Sequence, residues 1–273
     1  MAFLARGYCP GLEPYGEVVD KGIDFVLASQ SAGGDLMAGS SMYGHNISTL
    51  MLSEVSGMVE PERQKRVHLA LNRAVKVTLD AQRVVKSEAN QGGWRYATNS
   101  ADSDLSHSGW ALMALRSARN NGAPVPKEAI EAAVKYVLRC QPPGGGSFGY
   151  QPGGSGLSTT GVGLLCLALC GEHQDDVMRK AGEYIFKSYK SGVGGGHFYY
   201  CNYYCSQGMF QLGEEKWQTF APLLYELVLS KQAADGSWAA TGGPEDGVGP
   251  CYRTAMAVLA LSVSYQQLPI YQR

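Results

Sequence analysis

Apolar positions along the chain fall into two alternating kinds of segment. The first kind is amphipathic, with apolar residues three and four apart and charges between them. It comprises "VDKGIDFVLASQSAGG" (19–34), "LNRAVKVTLDAQ" leading to "QGGWRY" (71–96), "AIEAAVKYVLRCQPPGGGSFGY" (129–150), "VMRKAGEYIFKSYKSGVGGGHFYY" (177–200) and "LLYELVLSKQAADGSW" (223–238). The second kind is apolar nearly all round and rich in small residues. It comprises "MYGHNISTLMLSEVSGM" (42–58), "LSHSGWALMALRSARNNG" (105–122), "LSTTGVGLLCLALCG" (157–171), "FYYCNYYCSQGMFQLG" (198–213) and "PCYRTAMAVLALSVSY" (250–265). A period near 3.6 predicts helices for both kinds. One-sided wetting assigns the first kind to an outer layer, and all-round apolarity assigns the second to an inner one.

The pattern repeats about every fifty residues. Gln30, Gln82, Gln141 and Gln232 mark equivalent ends of outer helices, each followed by a glycine-rich turn that often closes on an aromatic. The fifth outer segment keeps the glycines but lacks the glutamine. Glycine after a helix supplies a left-handed cap that other residues resist. Pro10, Pro14, Pro61 and Pro126 lie near outer-helix starts and Pro269 follows the last inner helix, places where proline is tolerated. Five outer–inner pairs make an all-α double layer, either an open solenoid or a closed ring. "MAFLARG" (1–7) looks like the last turns of a further inner helix. The expectation is a single domain over 1–273, with five clear hairpins and part of a sixth, lacking its N-terminal outer helix and part of an inner one. The tail "YQQLPIYQR" reads as a natural stop.

Composition narrows the class. Hydrophobic residues at 45% and charged residues at 17% over 273 positions fit a folded globular chain. The 23 Lys and Arg are scattered and the net charge is −1, so a nucleic-acid partner is not expected. The apolar run "GVGLLCLALCG" (161–171) is about half of a membrane span. No transmembrane segment is expected, although a peripheral membrane contact is compatible with the chain. The start lacks the parts of a signal peptide, which for the chain as given favours the cytoplasm. Seven cysteines, several at helical spacing in apolar runs, read as buried thiols rather than a disulfide framework. No G-x-x-x-x-G-K-[ST], H-E-x-x-H or G-x-S-x-G occurs, so the glycine clusters are turns and not phosphate cradles.

"KQAADGSW" (231–238), with "LLYELVL" before it, resembles the QW repeat of squalene–hopene and oxidosqualene cyclases, and "QGGW" and "GGGSFGY" look like weaker copies. The chain is similar to the prenyltransferase/squalene-oxidase repeat family over about residues 15 to 265, most of all to its short bacterial members. The resemblance implies an (α/α) toroid that binds ligands in a central cavity at the N-terminal ends of the inner helices. It also implies an apolar, isoprenoid-like small molecule as ligand, and a class II cyclase that starts cyclisation of a polyprenyl chain by protonation. Such cyclases carry D-x-D-D-T-A, the middle aspartate being the proton donor. Here Asp102-Ser103-Asp104-Leu105-Ser106 takes that place, so the resemblance makes Asp104 the donor, while Leu105 stands where the adjacent carboxylate would be.

The residues carry their own reading. An acid of this kind needs a neighbour that tunes it, and Asp102, His107 and His45 are the candidates. Helix capping by Asp104 or Ser106 is the competing role. Tyr199, Tyr200, Tyr203 and Tyr204, with Trp94, Trp110 and Tyr252, could line a pocket whose π faces stabilise cations, or could pack a core. Arg95 could bind an anionic group such as a diphosphate, or pair with an acid. His197, Cys201 and Cys205 share a helical face at metal-ligand spacing, without C-x-x-C clamps. No cofactor and no metal is expected. Two other functions stay open: a non-catalytic toroid that binds a protein or peptide, and a glycan-processing toroid using paired acids among Asp35, Asp102, Asp104 and Asp246.

Overall fold

The structure is a computed structural model that describes residues 1–171, 175–193 and 196–272. The glycines of the fifth outer segment at 194 and 195 lie outside the described residues, as does the last residue of the tail. Among the described residues the secondary structure is helical: α1 (Ala2–Ala5), α2 (Gly16–Ala28), α3 (Met42–Glu54), α4 (Pro61–Arg83), α5 (Leu105–Asn120), α6 (Lys127–Arg139), α7 (Leu157–Leu169), α8 (Asp175–Lys190), α9 (Phe198–Gln211), α10 (Glu214–Leu229) and α11 (Pro250–Leu261). Short 3₁₀ turns interrupt the loops, and the described residues form three isolated β-bridges but no strand. No described helix is long and apolar enough to cross a membrane.

The chain divides into two compact units. One unit comprises residues 7–139 with 268–270 and holds α2 to α6. The other comprises residues 1–6, 140–267 and 271–272 and holds α1 and α7 to α11. In the first, α3 and α5 run side by side in the same direction, tied by Tyr43 to Ser106 near their starts and by Ser53 to Ser117 near their ends. The amphipathic α4 covers both, with α2 and α6 flanking. In the second unit, α9 packs between α7 and α11, while α8 and α10 cover it and the short α1 rests on α11. Backbones of α7 and α9 approach closely because Gly161 and Gly208 face each other; a Cβ on Gly161 would meet the Tyr204–Cys205 backbone.

Hydrogen bonds explain why the repeat needs glutamine and tryptophan. Gln82 donates its amide to Gly92 O (3.0 Å) in its own turn and to Ala129 O (2.9 Å) on α6. Gln30 repeats the arrangement with Gly34 O (3.0 Å) and Ala70 O (2.9 Å) on α4. One side chain thus closes a turn and locks two outer helices together. Gln232 keeps the turn bond only, to Gly236 O (3.1 Å), and the Gln141 amide nitrogen has no partner among the described residues. The tryptophans reach backwards: Trp94 Nε1 donates to Thr78 O (2.7 Å) and Trp238 Nε1 to Val228 O (2.8 Å), each four residues before the glutamine. Gly92 is obligatory, since its φ is +85° and a Cβ would run into the Ala132 carbonyl of α6.

Removing both bonds of a partly buried glutamine, at roughly 1 kcal/mol each, should make Gln82→Ala cost about 2 kcal/mol. Gln232→Ala, at an exposed position with one bond, should cost less than half of that. Urea denaturation of the two variants checks the order; equal losses would contradict the interhelical role of Gln82.

Candidate functional site

The turn before each inner helix is built alike. The backbone N–H of the residue closing the turn is held by a side chain in the first turn of the following helix. Trp94 N donates to Ser108 Oγ (2.9 Å), Phe148 N to Thr160 Oγ1 (3.0 Å), and Trp238 N to Thr254 Oγ1 (3.3 Å). In the first repeat Leu36 N donates to His45 Nδ1 (3.1 Å). His45 therefore occupies the position of Ser108, Thr160 and Thr254. Its Nδ1 being an acceptor, Nε2 carries the proton and faces Ala74 O (3.1 Å) and Thr78 Oγ1 (3.0 Å), and Thr78 donates on to Asn46 Oδ1 (2.9 Å). Burial pushes the imidazole down to about 4, against the small opposing effects of the Ala74 carbonyl and Asp35. His45 is a neutral structural group with both nitrogens engaged, and it is not brought to Asp104.

Four residues before each of these anchors stands a residue at the helix start: Ser41, Asp104, Gly156 and Pro250. Only the second is a carboxylate. Asp104 is the extended N-cap of α5 (φ −136°, ψ 158°) and is fully buried. Its Oδ1 accepts from His107 N (2.9 Å) and Ser106 Oγ (2.8 Å), and the His107 Nδ1 lies 3.0 and 2.9 Å from the two carboxylate oxygens. Burial on its own would raise the Asp104 carboxyl. The hydrogen bond and charge of His107, the backbone N–H and the Ser106 hydroxyl outweigh it, and the group sits below the ordinary aspartate value.

An ionised carboxylate only accepts, so Nδ1 of His107 carries the shared proton. The outer nitrogen, Nε2, is buried and has no hydrogen-bond partner among the described residues. The imidazole packs against two rings, Tyr43 at 3.9 Å and Tyr96 at 4.2 Å between centroids, which also meet each other edge-on at 6.4 Å. Tyr43 donates its hydroxyl to Ser106 Oγ (2.5 Å), extending a chain Tyr43–Ser106–Asp104–His107. Tyr96 is more than half exposed and forms the outer wall. Arg95 pairs with Asp102 and brings Nε to 3.6 Å from Asp104 Oδ2, so its charge is engaged by the two acids it separates. Nearby, the buried Lys86 donates to Ser100 O (2.5 Å); burial lowers its ammonium, and Asp102 counters this.

Of the expected site residues, Asp102, Asp104, His107 and Arg95 come together. Trp94 and Trp110 are buried side chains of the same unit. The tyrosines belong to the other unit and pack as its core. Tyr204 packs at an angle against Tyr200 and Tyr203, each at 4.7 Å between centroids, Tyr203 meets the Tyr271 hydroxyl, and Tyr199 donates to Ala239 O (2.5 Å). Tyr252 donates to Glu245 Oε1 (3.2 Å). His197 faces the Tyr200 ring, while Cys201 and Cys205 contact each other at 3.9 Å; the described residues hold no group of three metal-ligating side chains. None of the seven cysteines is in a disulfide; Cys140, Cys166, Cys201 and Cys205 are buried, whereas Cys251 is exposed.

Two buried acids were not anticipated. Glu245, from the loop before α11, accepts from Tyr199 N and Tyr200 N (2.8 Å each) and caps α9 from a distance in sequence of about 45 residues. Its neighbour Asp246 accepts from Thr241 N (3.0 Å) and Gly242 N (2.8 Å), a local loop brace. Glu54, at the end of α3, accepts from Ser117 Oγ (2.5 Å) and from Ile270 N (3.1 Å). Tyr43 and Tyr96 were also missed, although Tyr43 stands two residues after Ser41, in register with Ser106 and Tyr252. No protein-family model matches the chain, and no curated protein matches it.

Proposed function

We propose that this chain is a terpene-cyclase-like, isoprenoid-binding protein built as an (α/α) toroid, and that it moves a proton at Nε2 of His107. The observation that carries this reading is the polarity of the Asp104–His107 pair. Nδ1–H is fixed on a carboxylate, so Nε2 is the position left to gain or lose a proton, and among the described residues it has no partner. Among the equivalent helix starts, only this one has a carboxylate and a histidine three residues on.

In this reading Asp104 orients the ring and stabilises the imidazolium, and does not itself give the proton. In acid-initiated cyclisation Nε2 first takes a proton from solvent to give the imidazolium. That N–H bond then breaks, the alkene π pair forms the new C–H bond, the ring returns to neutral and the positive charge passes to the ligand. The faces of Tyr43 and Tyr96 flank that path. A linear polyprenyl alkene incubated with the purified chain, with products analysed by gas chromatography, tests it. Asp104→Asn retains an acceptor for the cap but reverses the polarity at Nδ1, and should lower turnover at least about 100-fold with helicity intact; His107→Gln should do the same. Undiminished product from both variants would remove the assignment.

A second reading rests on the completeness of the capping network and the full burial of both side chains. Asp104 would then be purely structural, and the chain a non-catalytic toroid for a protein or peptide partner. That reading expects Asp104→Asn to leave every ligand assay unchanged. A glycan-processing role finds no support in the acids, because Arg95 engages both Asp102 and Asp104, while Asp35 and Asp246 are loop braces.

A further inference from the structure

A cavity of about 510 Å³ opens in the unit that holds α7 to α11, where the C-terminal turn of α9 meets α8 and α10. That volume lies within the roughly 300–1,000 Å³ usual for small-molecule sites. Its floor is apolar and deformable: Met178 and Phe186 from α8, Met209 from α9, and Leu212 just beyond it. Methionine adapts to flexible chains better than branched residues do. Gly182 holds α8 close to this floor, since a Cβ there would strike Leu212.

The charges at the rim are unequal. Arg179 is paired along α8 with Asp176 (2.7 Å) and Glu183 (2.6 Å), which neutralises the acid that faces the cavity. Lys216 on α10 also faces it, and no described carboxylate pairs with it. Thr219, one turn further along α10, stands at the exposed mouth. The site therefore offers an apolar bed ending at one ammonium that no described carboxylate pairs with. A dianionic phosphate would find a single cation and no free guanidinium fork, whereas a monocarboxylate matches the charge.

We infer that this cavity binds a free single-chain carboxylate, alkyl chain on the methionine floor and headgroup on Lys216. The inference concerns different residues from the Asp104 pair and stands or falls separately from the function proposed above. Calorimetric titration of the full chain with dodecanoate below its micelle concentration tests it. The expected result is one saturable site, weakened about tenfold in Lys216→Met, as loss of one ion pair at a partly dry site implies. The methyl ester should bind wild type as weakly as dodecanoate binds Lys216→Met. Thr219→Trp, at an exposed position that leaves the fold intact, should fill the mouth and abolish binding. No saturable binding, unchanged affinity in either variant, or binding only to vesicles containing phosphatidylserine would overturn it.

Discussion

Asp104→Ala should destabilise the protein by about 3–5 kcal/mol, the largest loss expected of any single polar side chain. The cap alone is worth about 1 kcal/mol. Beyond that cap bond to His107 N, the truncation strands two more buried donors, His107 Nδ1 and Ser106 Oγ, each at a cost of roughly 1–3 kcal/mol. It also removes the acceptor at the end of the chain that begins at Tyr43. Asp104→Asn keeps an oxygen for the backbone and the hydroxyl, and should lose only about 1–2 kcal/mol. Denaturant melts of the two variants at equal m-value separate these outcomes. A small loss in Asp104→Ala would mean that the pair is neither buried nor buttressed as described.

Acidification should remove a second large contribution, through His45. Its folded value of about 4 lies below the ordinary 6.5, so the unfolded chain takes up the proton first as pH falls. The stability from the neutral ring is complete above pH 6.5 and is lost progressively down to about 4, amounting to about 3 kcal/mol. Glu54 works in the opposite sense: burial raises its carboxyl, against the Ser117 and Ile270 bonds, so its contribution is lost as pH rises. The difference between wild type and His45→Thr isolates the histidine. Threonine accepts a turn N–H at the equivalent place in Thr160, so His45→Thr should fold and should flatten the pH dependence between 6.5 and 4. Parallel curves for the two proteins would refute the assignment.

The helices were legible because their signals are local. Apolar period, proline at the head of α4 and glycine after α5 set boundaries that agree with the structure to within a few residues. α10 was the exception: it begins at Glu214, ahead of the apolar run at 223, because Pro222 inside the helix masks the continuity. Asp104 stands out in the sequence as an acid at a helix mouth; the structure buries it, and capping and pairing with His107 coexist there. Less legible were contacts made across the repeat. Nothing local marks Gln82 as a bridge to α6, or Glu245 as the cap of α9. His45 was read as a tuner of Asp104 because histidine suggests chemistry. Its true counterparts, Ser108, Thr160 and Thr254, show that the position asks only for an acceptor. The tyrosines of α9 illustrate the same limit, since spacing shows which share a face and not whether that face meets a cavity or a core.

The central claim is the polarity of the Asp104–His107 pair, and nitrogen-15 NMR of the His107 ring reads it directly. The expected spectrum has a protonated Nδ1 whose proton is shifted strongly downfield and exchanges slowly, with both features lost in Asp104→Asn. A proton on Nε2 with Nδ1 bare, unchanged by Asp104→Asn, would contradict the account.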